Sequence, residues 1–134
     1  MEDSELIIEA AQVREYAYAP YSKYKVGAAL LGISGRVYTG CNVENGVYPL
    51  GICAERAAVA KAVSEGERQF EAIAVVTEDG GTPCGACRQV LSEFGLDIRV
   101  IIASTSGHIR VFTVRELLPE AFTLALRDDG ACRP

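Results

Sequence analysis

The spacing of apolar residues changes several times along the chain, and each change predicts a different element. Over residues 4–18 the apolar side chains recur at helical spacing, which predicts an amphipathic helix with Ser4 as its N-cap. The same signals predict helices over residues 54–64 and 84–94 and a short helix over 114–118. Four helices are therefore expected.

Five shorter runs of extended apolar pattern predict strands. They lie at residues 26–31, 36–41, 72–76, 99–103 and 109–112. Ser34-Gly35 between the first two runs predicts a hairpin, and the fully apolar third run is typical of a strand buried on both faces. Because strands and helices alternate in the central part of the chain, some strands are expected to pair in parallel beneath covering helices. The sequence therefore predicts a three-layer α/β/α sandwich with a mixed five-stranded sheet.

The length and charge of the chain limit the classes of protein to which it can belong. Its 134 residues predict a single domain over 1–134, with a tail that is frayed from about residue 128. No apolar run approaches the roughly 20 residues that span a bilayer, and the acidic start of the chain is unlike a secretory signal. A cytoplasmic protein without membrane contact is expected. The net charge of −5, with no basic run, disfavours nucleic-acid binding.

Three of the five cysteines lie where a helix is predicted to begin. An odd number of cysteines suits a disulfide framework poorly, and cytosolic thiols tend to serve metals or catalysis. Helix N-termini lower thiol pKa values, so Cys53, Cys84 and Cys87 are candidate zinc ligands. Three ligands leave one position of a tetrahedral zinc open to water, and Glu55 beside it could transfer the proton. The pattern indicates hydrolytic chemistry.

Two other interpretations of these cysteines are open. Cys84 and Cys87 alone would also fit a thioredoxin-like redox pair. With Cys41 and Cys53 they would fit a structural four-cysteine zinc site. Neither alternative requires Glu55, and its presence two residues after Cys53 favours the hydrolytic centre.

The neighbouring residues receive simpler roles. Three thiolates around Zn²⁺ carry a net charge of about −1, which Arg56 could offset. A solvent-facing arginine is the alternative for this residue. We expect Cys41 to be a buried structural thiol, Cys132 in the tail to bind nothing, and His108 in a turn to face solvent.

Several motifs, in one order, resemble those of the small, homotetrameric, zinc-dependent cytidine deaminases that act on free nucleosides. Zinc deaminases combine a His/Cys-x-Glu motif with Pro-Cys-x-x-Cys. Here these motifs are Cys53-Ala54-Glu55 and Pro83-Cys84-Gly85-Ala86-Cys87. Other matching segments are Tyr18-Ala19-Pro20-Tyr21-Ser22-Lys23-Tyr24, Val26-Gly27-Ala28-Ala29, Gly40-Cys41-Asn42-Val43-Glu44-Asn45 and Glu116-Leu117-Leu118-Pro119. The resemblance implies that the chain deaminates cytidine and 2′-deoxycytidine hydrolytically in pyrimidine salvage.

The resemblance also implies the roles of the site residues. It makes Cys53, Cys84 and Cys87 the ligands of one zinc ion per chain and Glu55 the proton shuttle. Asn42 and Glu44 match a pair that binds the ribose hydroxyls. From the residues alone, turn chemistry at Asn42 and a solvated Glu44 are equally good interpretations.

The remaining substrate contacts come from the same resemblance. Tyr24 stands where the family usually has a Phe against the pyrimidine, and Ala54 is a further substrate contact. Tyr48 and Phe122 match positions that help to close a neighbouring chain's site in the tetramer, although both could be ordinary core or surface aromatics. A related nucleoside, such as a blasticidin-type antibiotic, is the alternative substrate, and a non-catalytic structural zinc module is the alternative outside enzymes.

Overall fold

The computed structural model describes residues 1–124, which form a five-stranded sheet with helices on both faces. The helices are α1 (Asp3–Arg14), α2 (Ala54–Ser64), α3 (Gly85–Phe94) and α4 (Val114–Leu117), with a 3₁₀ turn at Tyr48–Leu50. The strands are β1 (Gly27–Gly32), β2 (Val37–Cys41), β3 (Phe70–Thr77), β4 (Arg99–Ser104) and β5 (Ile109–Thr113). The predicted frayed tail and Cys132 lie outside the described residues. None of the helices in this part of the chain is long and apolar enough to cross a membrane.

The sheet is mixed, as the sequence predicts. Its strand order is β2-β1-β3-β4-β5, with β3 parallel to β4 and the other neighbours antiparallel. β1 and β2 form the expected hairpin, and Gly35 adopts a φ of 93° in its turn, a conformation that glycine accepts without strain. Parallel pairing therefore occurs where helix α3 connects β3 to β4.

Helices cover both faces of the sheet, so the three-layer prediction is confirmed. On one face, Leu6 and Ala10 of α1 pack in a cluster with inward-facing side chains of β1, β3 and β4. On the other face, Ala58 of α2 and Leu91 of α3 share a cluster with the opposite faces of the same strands. Because both faces are covered, every residue of β1 is buried.

The first helix differs from its prediction at both ends. Glu2 is the N-cap and forms a capping box with Glu5, so Ser4 lies inside the helix. The helix ends at Arg14 because the chain then turns to pair with another segment. The Tyr18 amide donates to the Asn42 carbonyl at 2.9 Å, and the Glu44 amide donates to the Tyr18 carbonyl at 2.8 Å. This pairing holds the segment after β2 beside the end of the sheet.

Candidate active site

Three thiols from two helix starts converge at one end of the sheet. Cys53 is the N-cap of α2, Cys84 is the N-cap of α3, and Cys87 lies in the first turn of α3. The Sγ of Cys84 is 3.9 Å from that of Cys53 and 3.5 Å from that of Cys87. All three sulfur atoms lie within 4.8 Å of one another. The structure thus brings together the three predicted ligands.

The spacing of these sulfur atoms fits zinc. Tetrahedral coordination with Zn–S bonds of about 2.3 Å places the sulfurs about 3.8 Å apart, close to the observed separations. Among the described residues, Cys41 is not part of the group of side chains that could share a metal ion. It ends the edge strand β2 and is only half-buried, so the prediction of a buried thiol is wrong, because an edge strand leaves one side of the residue uncovered. The donor set therefore leaves a fourth position open for water or substrate.

The surroundings of Cys53 favour its thiolate form. A hydrogen bond with Cys87 and the nearby Arg56 guanidinium lower the pKa of Cys53 to about 5. The same thiol–thiol hydrogen bond raises the pKa of Cys87, because its proton is held by Cys53. Arg56 Nη2 lies 3.7 Å from the Cys53 sulfur. In the described part of the chain the buried Nε of Arg56 has no hydrogen-bond partner.

Glu55 is the buried acid of the site. It lies in the first turn of α2 with only 5% of its surface exposed. Burial raises the pKa of its carboxyl group to about 7. A group with a pKa near the working pH can both accept and donate a proton, which suits general acid–base chemistry.

A cavity of about 380 Å³ lies beside the thiols and Glu55. Its walls include eight of the predicted site residues: Tyr24, Asn42, Glu44, Tyr48, Cys53, Ala54, Glu55 and Cys84. A cavity of this size accepts a small ligand. Two of the three predicted metal ligands and five of the six predicted substrate contacts therefore line one cavity.

The Asn42 side chain is held by backbone groups across the loop. Its Oδ1 accepts from the Val26 amide at 2.9 Å, and its Nδ2 donates to the Tyr24 carbonyl at 2.8 Å. One hydrogen of Nδ2 remains for another acceptor. Asn42 is thus a rigid donor in the cavity wall rather than the residue of a local turn.

Glu44 is also anchored. Its Oε1 accepts from the backbone amides of Tyr21 and Ser22 at 3.0 and 3.1 Å, and its Oε2 accepts from the Ser22 hydroxyl. These bonds, that of the Ser22 hydroxyl first, lower the pKa of Glu44, which makes it a fixed carboxylate. The sequence did not indicate Ser22 as its partner, because the two residues are separated by 22 positions.

Tyr48 and Phe122 occupy different places. Tyr48 lines the cavity of its own chain, close to the Tyr21 ring at a centroid distance of 5.8 Å. Phe122 is not among the residues that line this cavity, and its carbonyl accepts from Gln89 Nε2 at 3.1 Å. Both side chains are largely exposed, Tyr48 by 74% and Phe122 by 69%. His108 is exposed in the β4–β5 turn, as predicted.

Arg88 is a structural residue of the site that the sequence analysis missed. Its guanidinium donates to the Pro83 carbonyl, the Thr82 hydroxyl and the Leu117 carbonyl, each within 2.8 Å. These bonds join the segment before Cys84 to the end of α4. The sequence signal is its position one helical turn after Cys84, where a side chain can reach back past the helix N-terminus.

Comparisons with known proteins agree with this geometry. Residues 1–104 match the family described as the cytidine and deoxycytidylate deaminase zinc-binding region. A cytidine deaminase of Halalkalibacterium halodurans is 52% identical over 126 residues, covering 92% of this chain and 96% of that protein. One from Sporosarcina psychrophila is 50% identical over 126 residues, covering 92% and 93%. The crystal structure of cytidine deaminase from Burkholderia pseudomallei has a TM-score of 0.88 at 50% identity, covering 91% of this chain and 100% of that chain.

Proposed function

This chain belongs to the cytidine and deoxycytidylate deaminase family, and on that premise we propose that it hydrolyses cytidine and 2′-deoxycytidine to uridine and 2′-deoxyuridine. Ammonia is the second product, and one zinc ion is bound per chain. The observation that carries this proposal is that Cys53, Cys84 and the buried Glu55 line the same cavity, with the sulfur of Cys87 within 4.8 Å of the other two sulfurs. A redox pair or a closed structural zinc site would not need a buried carboxyl group at this position.

The reaction requires a proton to move from water to the substrate. Held by Cys53, Cys84 and Cys87, zinc would supply a Lewis acid that lowers the pKa of water toward neutrality. Glu55 accepts a proton from water and donates it to N3 of the pyrimidine while the water oxygen bonds to C4. Glu55 then takes the remaining proton from the hydroxyl that was added to C4 and donates it to the exocyclic amine. The C4–N bond breaks as the C4 carbonyl of uridine forms, and ammonia leaves. Its pKa of about 7 supports both directions of transfer.

Substrate orientation is assigned to the polar and aromatic residues of the cavity wall. Asn42 and Glu44 bind the ribose hydroxyls, the first through its free Nδ2 hydrogen and the second through its fixed carboxylate. Tyr24 lies against the base, and Ala54 contacts it from the start of α2. Holding the sugar fixes C4 relative to the thiol-lined end of the cavity, which contributes to the rate by orientation.

The experiment that tests this function combines zinc analysis with a cytidine assay. Purified protein should contain one zinc per chain and should convert cytidine to uridine, followed by the change in ultraviolet absorbance. Replacing Cys53, Cys84 or Cys87 with Ala should remove zinc and activity together. Cys41→Ala is the matched control and should retain the metal. Loss of zinc in Cys41→Ala would favour the four-cysteine structural site.

We also propose that the protein is a homotetramer whose sites are completed by Phe122 of neighbouring chains, whereas Tyr48 closes the cavity of its own chain. The support is the exposure of both aromatic residues, together with that of Val47 and Leu50 at the 3₁₀ turn that contains Tyr48. Light scattering at assay concentration should give the mass of four chains, and an active monomer would contradict the proposal. Co-expressing Glu55→Gln with Phe122→Ala should restore part of the activity only if chains share sites.

A cytosolic location is proposed on chemical grounds. The site requires three reduced thiols, and the cytosol keeps thiols reduced. Fractionation of cells that express the full chain should recover the zinc-containing enzyme with the cytosol. Recovery with an exported or membrane fraction would contradict this location.

A further inference from the structure

A hydrogen bond connects the wall of the cavity to a loop outside it. The Tyr24 hydroxyl donates to Asp79 Oδ1 at 2.6 Å. Tyr24 lines the cavity, whereas Asp79 is not among its lining residues. Asp79 lies in the loop that connects β3 to Pro83 and the metal-site residue Cys84. This contact joins positions that are 55 residues apart.

The acceptor is itself held in place. Asp79 Oδ1 also accepts from the Gly81 amide at 3.1 Å and from the Thr77 hydroxyl at 3.3 Å. The Thr77 oxygen in turn accepts from the amides of Gly80 and Gly81 at 2.8 and 3.1 Å. Thr77 is buried at the end of β3. The carboxylate is therefore anchored to the sheet through its own loop.

The protonation of the pair is well defined. The hydrogen bond from Tyr24 lowers the pKa of Asp79. Burial and the bond to Asp79 raise the pKa of Tyr24. The phenol is therefore the donor and the carboxylate the acceptor at neutral pH. Because a phenol has one hydrogen to donate, the Tyr24 hydroxyl is committed to Asp79 and unavailable as a donor to a ligand.

Tyr24 is fixed at its other end as well. Its amide donates to the Ser22 hydroxyl at 3.0 Å, and its carbonyl accepts from Asn42 at 2.8 Å. Gly81 leaves room for the phenol, since a Cβ at that position would lie 3.1 Å from the Tyr24 oxygen. With backbone and hydroxyl both held, the ring has one orientation in the cavity wall.

We propose that Asp79 is a positioning residue for substrate binding, which acts by holding the Tyr24 hydroxyl so that the ring presents its face to the pyrimidine. This inference rests on the proposed function, because that function places the base against Tyr24. Without the carboxylate, the phenol has to find another acceptor, and the ring turns away from its place in the wall. Asp79 does not touch the substrate, and its effect passes through Tyr24.

The test is a double-mutant cycle on the zinc-loaded enzyme with cytidine as substrate. Asp79→Ala should raise KM, and the Kd for uridine measured by calorimetry, by roughly three- to tenfold, the range expected for loss of one hydrogen bond. The value of kcat should change by less than about twofold, since Glu55 and the thiols are untouched. Asp79→Asn should recover most of the loss, because its amide oxygen still accepts from Tyr24.

The decisive comparison is made in a Tyr24→Phe background. There Asp79→Ala should have no further effect on KM or on uridine binding, because the hydroxyl through which Asp79 acts is gone. Equal effects in both backgrounds, or an unchanged KM in Asp79→Ala, would overturn the inference. Loss of zinc from Asp79→Ala would also overturn it, because Asp79 would then act through the loop to Cys84.

Two controls separate this inference from the proposed function. Asp97→Ala removes a surface aspartate that pairs with Arg115, and it should leave KM unchanged. Absence of cytidine turnover by the zinc-loaded wild type would overturn the proposed function and this inference together. If the wild type turns over cytidine normally but the effects of Asp79→Ala and Tyr24→Phe on KM are additive, only the role of Asp79 is overturned.

Discussion

Gly40 of β2 lies directly against the first turn of α2, so closely that a Cβ at position 40 would be 2.6 Å from the Ala54 carbonyl oxygen. The same Cβ would be 2.6 Å from the amide nitrogen of Ala58. Both neighbours are backbone atoms and cannot rotate away. Because Cys53 and Glu55 flank Ala54, this glycine determines how near the sheet these two side chains lie.

Replacing Gly40 with Ala should therefore push α2 away from the sheet. We expect a loss of about 1–3 kcal/mol in the free energy of unfolding, the usual cost of overpacking, together with weaker zinc retention. Urea denaturation and zinc analysis measure the two effects. Gly85→Ala is the matched control, because a Cβ at that helix position meets no atom within 4 Å. Equal stability of Gly40→Ala and wild type would show that the two elements separate without cost.

The Glu67 carboxylate should make stability depend on acid pH. It accepts from the Ser34 hydroxyl at 2.5 Å, the Ser34 amide at 3.0 Å and the Tyr38 hydroxyl at 2.9 Å. These bonds, that of the Ser34 hydroxyl first, lower the pKa of Glu67. The stabilisation is therefore fully present above the unfolded-state pKa of about 4.3 and is lost as the pH falls through the lower folded-state pKa.

In Glu67→Gln this acid-sensitive contribution should disappear. The melting temperature of the variant should lie below that of wild type at pH 7, and the difference should narrow as the pH falls below about 4.3. Glu71→Gln changes an exposed position of β3 and serves as the control. Its melting temperature should stay close to that of wild type across the same pH range. A difference between Glu67→Gln and wild type that stays constant with pH would contradict the linkage.

The sequence predicted features that depend on neighbouring residues, and it did not predict contacts between segments that are far apart along the chain. Helix α2 was predicted with its observed bounds, and the convergence of Cys53, Cys84 and Cys87 followed from two short motifs at helix starts. The prediction of Ser4 as the N-cap of α1 was wrong, because Glu2 caps this helix in a capping box with Glu5. Contacts between distant segments could not be predicted, since a local pattern does not report which loop meets which strand.

Arg56 should tune the charge of the site without holding the metal. Three thiolates with Zn²⁺ carry a net charge of about −1, and the guanidinium beside Cys53 offsets it. Arg56→Ala should therefore lower kcat while zinc content stays near that of wild type. Arg36→Ala provides a control, because this arginine pairs with Glu65 at the surface. Unchanged kinetics in zinc-loaded Arg56→Ala would make Arg56 a structural residue of the helix start.

The enzyme should prefer the nucleoside to both the free base and the nucleotide. Cytosine leaves Asn42 and Glu44 without a sugar to bind and loses the energy that orients C4. A 5′-phosphate adds negative charge to a chain of net charge −5 with Glu44 in the cavity wall. The measurement is kcat/KM for cytidine, cytosine and cytidine monophosphate under the same conditions. Comparable kcat/KM values for cytidine and either competitor would contradict the sugar-binding role proposed for Asn42 and Glu44.

The proposed function depends above all on Glu55, which we expect to move the protons of the reaction beside a zinc site made by three cysteines. The most direct measurement is kcat for cytidine with the zinc-loaded Glu55→Gln variant, whose amide keeps the shape of the side chain but cannot carry a proton. We expect one zinc per chain, a melting temperature within a few degrees of that of wild type, and a loss of kcat of about 10²–10⁴-fold or more. A variant that holds zinc and keeps most of the wild-type kcat would contradict it.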